Sequence, residues 1–277
     1  MAKSRGGRWL LRIDDLDSPR LVAGMADDIL KTLEMFGLVW DGEITWQSRH
    51  LDAYAEAFDA LMERDVLYPC GCSRKEIAQT SSAPHPGDDM RPYSGNCRMR
   101  MDGRKTVRSW RVRVKNEEIC FDDLCWGRIC QNLEKSGEFV VRRGSGEFAY
   151  QLAVVVDDSL TGVTQVVRGA DLLQSTPRQI HLQRLLGLPQ PDYCHLPLVT
   201  GPEGKKLSKR DNLVSYSLLG DLNGKEGILL LGVLRFLGQN PPMSLTGAPC
   251  REILEWAKAD FEPARMPVNG GELALHN

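Results

Sequence analysis

A cluster of basic side chains after residue 204 has the composition of a loop that binds a polyanion. The run KKLSKR occupies positions 205–210 and places three lysines and one arginine within six residues. Neighbouring cations repel one another unless a polyanion lies among them, and a mobile ammonium group can meet the charge that builds on a triphosphate during displacement. The alternative is a lysine-rich surface turn, which is common in proteins.

A second group of residues has the chemistry of a zinc site. Cys70 and Cys72 form a tight pair, and Cys97 follows 25 residues later. Zinc takes four ligands, usually thiolates and imidazoles, so the pattern supplies three of them. The alternative is that these thiols are small buried apolar groups. The residues left open for the fourth position are His85, Tyr93, Cys120, Cys125 and Cys130.

The three later cysteines favour a different role. Between Cys120 and Cys130 they alternate with large apolar residues, which predicts core cysteines rather than ligands. No apolar signal segment follows the N-terminal residues MAKSRGG, so a reducing cytoplasmic location is expected. Clustered cysteines in such a compartment bind metal more often than they form disulfides.

A basic segment lies between the two groups. Eight lysines and arginines fall between positions 98 and 115. Over residues 110–115 the pattern alternates, so Arg111, Arg113 and Lys115 are expected on one face of a strand and apolar side chains on the other. Such a face offers cations to phosphates. A solvated face neutralised by nearby acidic residues is an equally good interpretation.

Periodicity predicts the elements that carry these groups. Residues 9–13 read as a strand, and Ser18-Pro19 has the N-cap and first-turn pattern of a helix start. The valine-rich run 152–156 predicts a central strand buried on both faces. Strands that alternate with helices predict an α/β sheet. Helices are expected from 19 to 36, 52 to 64 and 176 to 187, with a leucine-rich helical segment from 215.

Composition excludes two classes of protein. Hydrophobic residues make up 42% of the 277 residues, but no window approaches the roughly 20 apolar residues that cross a bilayer, so no membrane association is expected. The formal net charge is -2, which excludes a globally basic coat for nucleic acid but leaves a local basic face open.

Four separated blocks, taken together, resemble one family. They are RIDDLDSPR from residue 12, FAYQLAVVVDD from 148, VRGADL from 167 and KLSKR from 206. The blocks and their order resemble those of glutamyl-type class I aminoacyl-tRNA synthetases. The resemblance implies a Rossmann-like catalytic domain with an inserted zinc module and a helical C-terminal portion. The implied boundaries are 1–67 and 145–214 for the two catalytic parts, 68–144 for the insert and 215–277 for the helical segment.

The resemblance also implies roles for individual residues. Lys206, Ser208 and Lys209 match the catalytic signature loop, with Lys209 on the position that contacts ATP. Asp14, Tyr150 and Arg168 fall on positions that bind glutamate, and an arginine is suited to a bidentate carboxylate contact. A salt bridge of Arg168 to a nearby aspartate is the alternative. The implied zinc ligands are Cys70, Cys72, Tyr93 and Cys97.

The cysteine pattern and the short segment after the lysine cluster are similar to the glutamyl-Q branch of the family. That branch would activate glutamate with ATP and Mg²⁺ without tRNA, and transfer it to the queuosine base of tRNA(Asp). The implied partners are L-glutamate, ATP and queuosine-containing tRNA(Asp), and a monomer is expected. The alternatives are a cropped glutamyl-tRNA synthetase that charges a 3′ end, and an inactive RNA-binding paralogue that keeps the zinc module.

One family feature has no match in the sequence. The family begins with a strand, a phosphate-binding turn and a helix bearing the HIGH signature, whereas none of the five histidines lies in such a setting. The expectation is a catalytic domain without its first βα unit, either because the start codon is misassigned or because the chain is truncated or decayed. Loss of a phosphate-binding turn of this kind would lower the rate by orders of magnitude.

Overall fold

The structure of the protein is a computed structural model. It describes residues 1–16, 23–73, 75–77, 93, 95–99, 101–103, 105–201 and 224–273. The predicted catalytic residues Lys206, Ser208 and Lys209 lie outside the described residues, as does His85.

The described residues form short strands and helices in a mixed order. The strands are β1 (Arg12–Ile13), β2 (Thr45–Trp46), β3 (Leu67–Cys70), β4 (Ser109–Val112), β5 (Glu118–Asp123), β6 (Gly127–Asn132), β7 (Val140–Arg143), β8 (Gln165–Gly169) and β9 (Asp192–Leu196). The α-helices are α1 (Met25–Met35), α2 (Leu51–Glu63), α3 (Leu133–Ser136), α4 (Tyr150–Leu160), α5 (Thr176–Leu186), α6 (Glu226–Phe236) and α7 (Cys250–Asp260).

The strands form three sheets. The largest has the order β6-β5-β9-β8, in which β8 and β9 are parallel and α5 connects them, as a βαβ unit requires. The second sheet is antiparallel, with the order β3-β4-β7, and the third is the parallel pair β1-β2. The sheets confirm the predicted mixture of strands and helices, and the parallel register places Arg168 beside His195.

The predicted central strand at 152–156 is wrong, because these residues lie in α4. Every residue of α4 from Gln151 to Asp157 is buried, since the helix packs against α2, α5 and β7. A short apolar run fits a buried helix as well as a buried strand, and here tertiary packing overrides the strand preference of the valines.

Other predicted elements agree with the structure to different degrees. β1 covers the end of the predicted strand at 9–13, and α1 covers the second half of the predicted first helix, whose start at Ser18-Pro19 lies outside the described residues. α2 and α5 match their predictions. Gly187 ends α5 in the left-handed conformation, with a φ of 70°, which glycine adopts without strain. α6 and α7 confirm the helical C-terminal segment.

The predicted basic face of residues 110–115 is wrong at Arg111. The strand ends at Val112 and its pairing with β7 shifts register between Trp110 and Arg111. Arg111 is buried, its guanidinium lies 4.0 Å from the centre of the Tyr93 ring, and its Nη1 donates to the Glu138 carbonyl at 2.8 Å. This guanidinium therefore holds the cysteine-rich insert together instead of facing solvent.

The prediction of core cysteines at 120 and 130 is also wrong. Cys120 and Cys130 are opposite each other in the antiparallel β5-β6 pair, and a disulfide joins them. Cys120 is half-buried and Cys130 is exposed, and Cys125 is a half-buried free thiol. Because a bonded thiol is not a metal ligand, Cys120 and Cys130 are also removed as zinc ligands in this structure.

The main core lies where α2, α4 and α5 pack against one another and against the larger and the second sheet. Its fully buried side chains include Tyr54, Leu61, Leu152 and Ile180. A second core joins α6 and α7 to Phe36. Within the described part of the chain, no helix has the length and apolar content needed to cross a membrane.

Candidate active site

Arg168 lies at the centre of a polar cluster at the end of β8. Its Nε donates to Nε2 of His195 at 3.0 Å, and its Nη2 donates to Oγ1 of Thr176 at 2.7 Å. Its Nη1 donates to the hydroxyl of Tyr150 at 3.4 Å. β8, β9, the start of α5 and the start of α4 thus each supply one group, and the half-buried guanidinium is held from three directions.

His195 connects this arginine to a buried carboxylate. Its Nδ1 donates to Oδ2 of Asp123 at 2.6 Å, and its side chain is fully buried. Arginine has only donors, so the Nε2 that faces Arg168 must accept, and the hydrogen-bond pattern assigns the neutral imidazole with its proton on Nδ1. Although burial raises the pKa of Asp123, hydrogen bonds from His195 and from the backbone of Trp126 and Cys125 bring it below its usual value.

Asp14 lies on the other side of the same cluster. Nε of Arg12 donates to Asp14 at 2.7 Å, and Nη1 of Arg12 donates to Asp158 at 2.6 Å. The Asp14 side chain is 41% exposed, so it is open to a cationic ligand. Burial raises the pKa of Tyr150, the charge of Arg168 opposes this rise, and the charge of Asp14 adds to it. The structure therefore places all three predicted glutamate-binding residues in one electrostatic neighbourhood.

A second buried carboxylate lies beneath Arg12. Asp157 is fully buried and accepts from Nε2 of Gln47 at 2.8 Å, from Nδ1 of His50 at 2.7 Å and from the hydroxyl of Tyr54 at 2.8 Å. Burial and the bond to Asp157 both raise the pKa of Tyr54. This network joins α2 to α4. Nε of Arg12 lies 3.8 Å from Oδ2 of Asp157, at the edge of the network.

Sequence reasoning missed several of these residues. Asp123, His195, Thr176 and Asp157 were not predicted as part of the site, although three of them adjoin predicted strands or helices. His195 comes directly before the LPLV strand end, where polar side chains of parallel strands converge. Its pairing with Arg168 depends on the strand register, which the sequence alone does not specify.

The three cysteines predicted as zinc ligands converge on one buried point. The Sγ atoms of Cys70, Cys72 and Cys97 all lie within 4.8 Å of one another. The hydroxyl of Tyr93 lies 3.3 Å from Sγ of Cys70 and 3.4 Å from Sγ of Cys72. Sγ of Cys72 is 3.5 Å from Sγ of Cys97, close to the roughly 3.7 Å edge of a tetrahedron with Zn–S bonds of about 2.3 Å.

The electrostatics of this cluster differ from one thiol to the next. Burial raises the pKa of Cys72 to about 11. Burial acts on Cys70 in the same direction, but hydrogen bonds from Tyr93 and the backbone, together with the charge of Arg111, bring its pKa below the usual value. The convergence of three sulfur atoms and one phenol oxygen, and not the pKa values, is what fits zinc.

A sequence profile identifies the family. The profile described as "tRNA synthetases class I (E and Q), catalytic domain" matches residues 1–245. The chain belongs to this family of class I tRNA synthetases. It is therefore an enzyme of the ligase type, with the mixed α/β catalytic fold of class I tRNA synthetases.

Curated relatives and solved structures agree with this assignment. The chain is 56% identical over 269 residues to "Glutamyl-Q tRNA(Asp) synthetase" of Geobacter sulfurreducens, covering 97% of this chain and 86% of that protein. It is 48% identical over 258 residues to the protein of the same name from Dechloromonas aromatica, covering 92% and 83%. A glutamate tRNA ligase from Elizabethkingia meningosepticum shares the fold, with a TM-score of 0.77 and 22% identity, and the chain spans 62% of its length.

The residues just before the predicted lysine loop are paired with the C-terminal segment. Val199 and Gly271 form a parallel bridge, the Thr200 N–H donates to the Gly271 carbonyl at 2.8 Å, and the Gly271 N–H donates to the Leu198 carbonyl at 3.1 Å. A side chain at Gly270 would place its Cβ 2.3 Å from the Leu198 carbonyl oxygen. The backbone at Gly270 and Gly271 therefore packs directly on residues 198–200.

Proposed function

We propose that this protein activates L-glutamate with ATP, without a tRNA, and then transfers the glutamyl group to the queuosine base of tRNA(Asp). The observation that carries the proposal is the proximity of Asp14 and Arg168 to the Tyr150 hydroxyl: Arg168 donates to it at 3.4 Å, and the charges of both residues act on its pKa. A carboxylate and a guanidinium in one neighbourhood suit a ligand with an ammonium group and a carboxylate. The names of the curated relatives support queuosine-containing tRNA(Asp) as the acceptor.

Chemistry assigns the groups of glutamate to these side chains. In the activation step the α-carboxylate of glutamate attacks the α-phosphorus of ATP, the bond to pyrophosphate breaks, and glutamyl-adenylate forms. The α-carboxylate must be free for this attack, so Arg168 binds the side-chain carboxylate and Asp14 binds the α-ammonium group. The Tyr150 hydroxyl accepts from Arg168 and orients it.

The lysine loop supplies the phosphate contacts in this proposal. Lys209 contacts ATP, and Lys206 and Ser208 stabilise the charge that develops as pyrophosphate leaves with its Mg²⁺. These roles rest on the match to the family signature. The bridge between Val199 and Gly271 supports them, since it fixes the strand that enters the loop.

Zinc fits the cysteine cluster and would have a structural role there. Cys70, Cys72, Cys97 and Tyr93 would hold it, and the bound ion would tie residues distant in sequence into one compact insert. The insert contains Arg111, which stacks on Tyr93. Zinc in this position therefore stabilises the insert rather than taking part in glutamate activation.

The deciding experiment compares two forms of the same acceptor. Radiolabelled glutamate is supplied with ATP and with tRNA(Asp) that either contains or lacks queuosine. We expect label only on the queuosine-containing form, and the label should still form on tRNA(Asp) from which the 3′-terminal adenosine has been removed.

Two other results would contradict the proposal and indicate its alternatives. Label on tRNA(Glu) that is abolished by 3′-end oxidation would indicate an ordinary glutamyl-tRNA synthetase. Binding of tRNA without ATP–pyrophosphate exchange would indicate an inactive RNA-binding protein.

A further inference from the structure

The donors of Arg168 are only partly used inside the protein. A guanidinium has five N–H groups, one on Nε and two on each terminal nitrogen. The contacts to His195, Tyr150 and Thr176 use one N–H on each of the three nitrogens. Among the described residues, one N–H on Nη1 and one on Nη2 are left, which is the pair of donors that binds a carboxylate bidentately.

The contact that fixes this arrangement comes from His195. An arginine side chain has several rotatable bonds and loses considerable entropy when it is held in one orientation. His195 meets Nε from a fully buried position, and Oγ1 of Thr176 lies 3.1 Å from the same Nε2 atom. Nε and Nη2 therefore face two acceptors that are fixed in place, Nε2 of His195 and Oγ1 of Thr176. The remaining N–H groups point away from these acceptors.

Asp123 makes His195 an acceptor at the required atom. Its carboxylate accepts a hydrogen bond from Nδ1–H and a second one, at 3.1 Å, from the backbone N–H of His195. An imidazole that carries its proton on Nε2 would instead point an N–H at the N–H of Arg168 and repel it. Phe121 and Tyr193 pack against the ring, and Arg168 and Thr176 lie at Nε2. Asp123 is the acceptor at Nδ1, so it and the Arg168 donor favour the same tautomer.

We propose that His195, held by Asp123, is a positioning residue that fixes Arg168 so that its two remaining terminal N–H groups bind the substrate carboxylate. The inference rests on the proposed function of Arg168. It adds that glutamate affinity depends on a buried Asp–His pair that does not contact the substrate.

A matched pair of variants isolates the contact to Arg168. Both His195→Leu and His195→Gln lose the bond to Asp123, but the glutamine keeps an oxygen acceptor near the position of Nε2. In ATP–pyrophosphate exchange we expect His195→Leu to raise KM for glutamate by about 10- to 100-fold, as for a lost hydrogen bond to a charged group. KM for ATP should not change, and His195→Gln should restore most of the glutamate affinity.

Another buried histidine provides the control. His181 is 7% exposed and its Nε2 lies 3.3 Å from the carbonyl of Arg113. His181→Leu removes an imidazole of similar burial from the neighbouring helix, so both KM values should stay at the wild-type level. Equal rises of KM for glutamate in the leucine and glutamine variants of His195 would overturn the proposal.

A second readout needs no substrate. The Nε–H resonance of Arg168 in ¹⁵N NMR, assigned with Arg168→Lys, should exchange slowly with water in the wild type and in His195→Gln, and rapidly in His195→Leu. Slow exchange in all three proteins would overturn the positioning role. If the expected NMR pattern appears but the wild type fails to activate glutamate, the positioning role is supported and the proposed function fails.

Discussion

Within the described part of the chain, two buried aspartates bond to histidine rings, and the two hydrogen-bond networks end differently. Asp157 bonds to Nδ1 of His50 at 2.7 Å, and Asp123 bonds to Nδ1 of His195 at 2.6 Å. Around Asp157, Gln47 and Tyr54 donate the other hydrogen bonds and Arg12 adds an ion pair at 3.8 Å. We call this network closed because its hydrogen bonds all end on groups that hold the fold together. The network of Asp123 instead continues through His195 to Arg168.

This difference separates a stabilising network from a positioning network. A closed set of buried hydrogen bonds holds elements together, and each group that loses its partner there costs stability. An open set ends on a side chain with donors still available, so its disturbance should appear in ligand affinity. The two networks should therefore respond to mutation in different measurements.

The largest effect is expected in the closed network. Asp157→Ala leaves the Tyr54 hydroxyl and the Gln47 amide buried without their acceptor, so the free energy of unfolding should fall by about 3–5 kcal/mol. Urea denaturation measures this loss. Asp192→Ala is the control, because Asp192 is exposed and its removal should change stability by less than about 0.5 kcal/mol. Similar losses in both variants would show that the network does not stabilise the fold.

The next effect is expected at the end of the open network. Arg168→Lys replaces a fork of five donors by a point charge, so KM for glutamate should rise by about 10- to 100-fold. The free energy of unfolding should change by no more than about 1 kcal/mol, because the guanidinium is half-buried. A stability loss as large as that of Asp157→Ala, with unchanged KM, would place Arg168 with the stabilising groups instead.

The cysteine cluster is a third buried polar group, and like the Asp157 network we expect it to hold the fold together without affecting glutamate affinity. Cys72→Ser should weaken zinc binding by at least about tenfold, since a hydroxyl is a poorer zinc ligand than a thiolate, while KM for glutamate stays unchanged. Zinc per chain, measured after dialysis against a weak chelator, is the readout. Cys250→Ser is the control, because this half-buried thiol lies in α7, outside the cluster. Unchanged zinc content in Cys72→Ser would exclude the site.

The smallest effect concerns a buried histidine whose ring bonds a carbonyl instead of a carboxylate. Burial lowers the pKa of His181, although its bond to the Arg113 carbonyl opposes the shift. Below about pH 6.5 the unfolded chain binds a proton that the folded protein binds more weakly, so stability should fall as the pH falls, by less than about 1.4 kcal/mol per pH unit. His181→Gln should flatten this dependence in urea denaturation between pH 7 and 5.5. An unchanged slope would assign the dependence to other groups.

The resemblance predicted Asp14, Tyr150 and Arg168 as glutamate-binding residues, and this role stays a prediction, although Arg168 and Tyr150 do contact each other. The run 152–156 was predicted as a strand but lies in the helix Tyr150–Leu160, because an apolar run shorter than two helical turns has no readable period. The contact of Tyr150 with Arg168 depends on where this element starts and not on its type.

Long-range pairing explains most of what the sequence could not predict. His195 and Arg168 are 27 residues apart and meet only through the parallel register of β8 and β9. Arg111 alternates like an exposed strand residue, yet the insert folds over it and buries it against Tyr93. The fourth zinc ligand was open from residue types alone, and the structure places the Tyr93 hydroxyl beside two of the thiols. The roles of Lys206, Ser208 and Lys209 stay predictions.

The backbone bridge at Gly271 has a practical consequence for handling the protein. Thr200 and Gly271 are hydrogen-bonded to each other, so residues 201–270 begin and end at neighbouring points of the structure. A chain extends by no more than about 3.6 Å per residue. The residues that follow Gly271 therefore start close to Val199 and Thr200, which precede the predicted lysine loop. An affinity tag or fused reporter attached after Asn277 would thus start within about 22 Å of Gly271, and we expect it to lower the affinity for ATP if the lysine loop has the role proposed above.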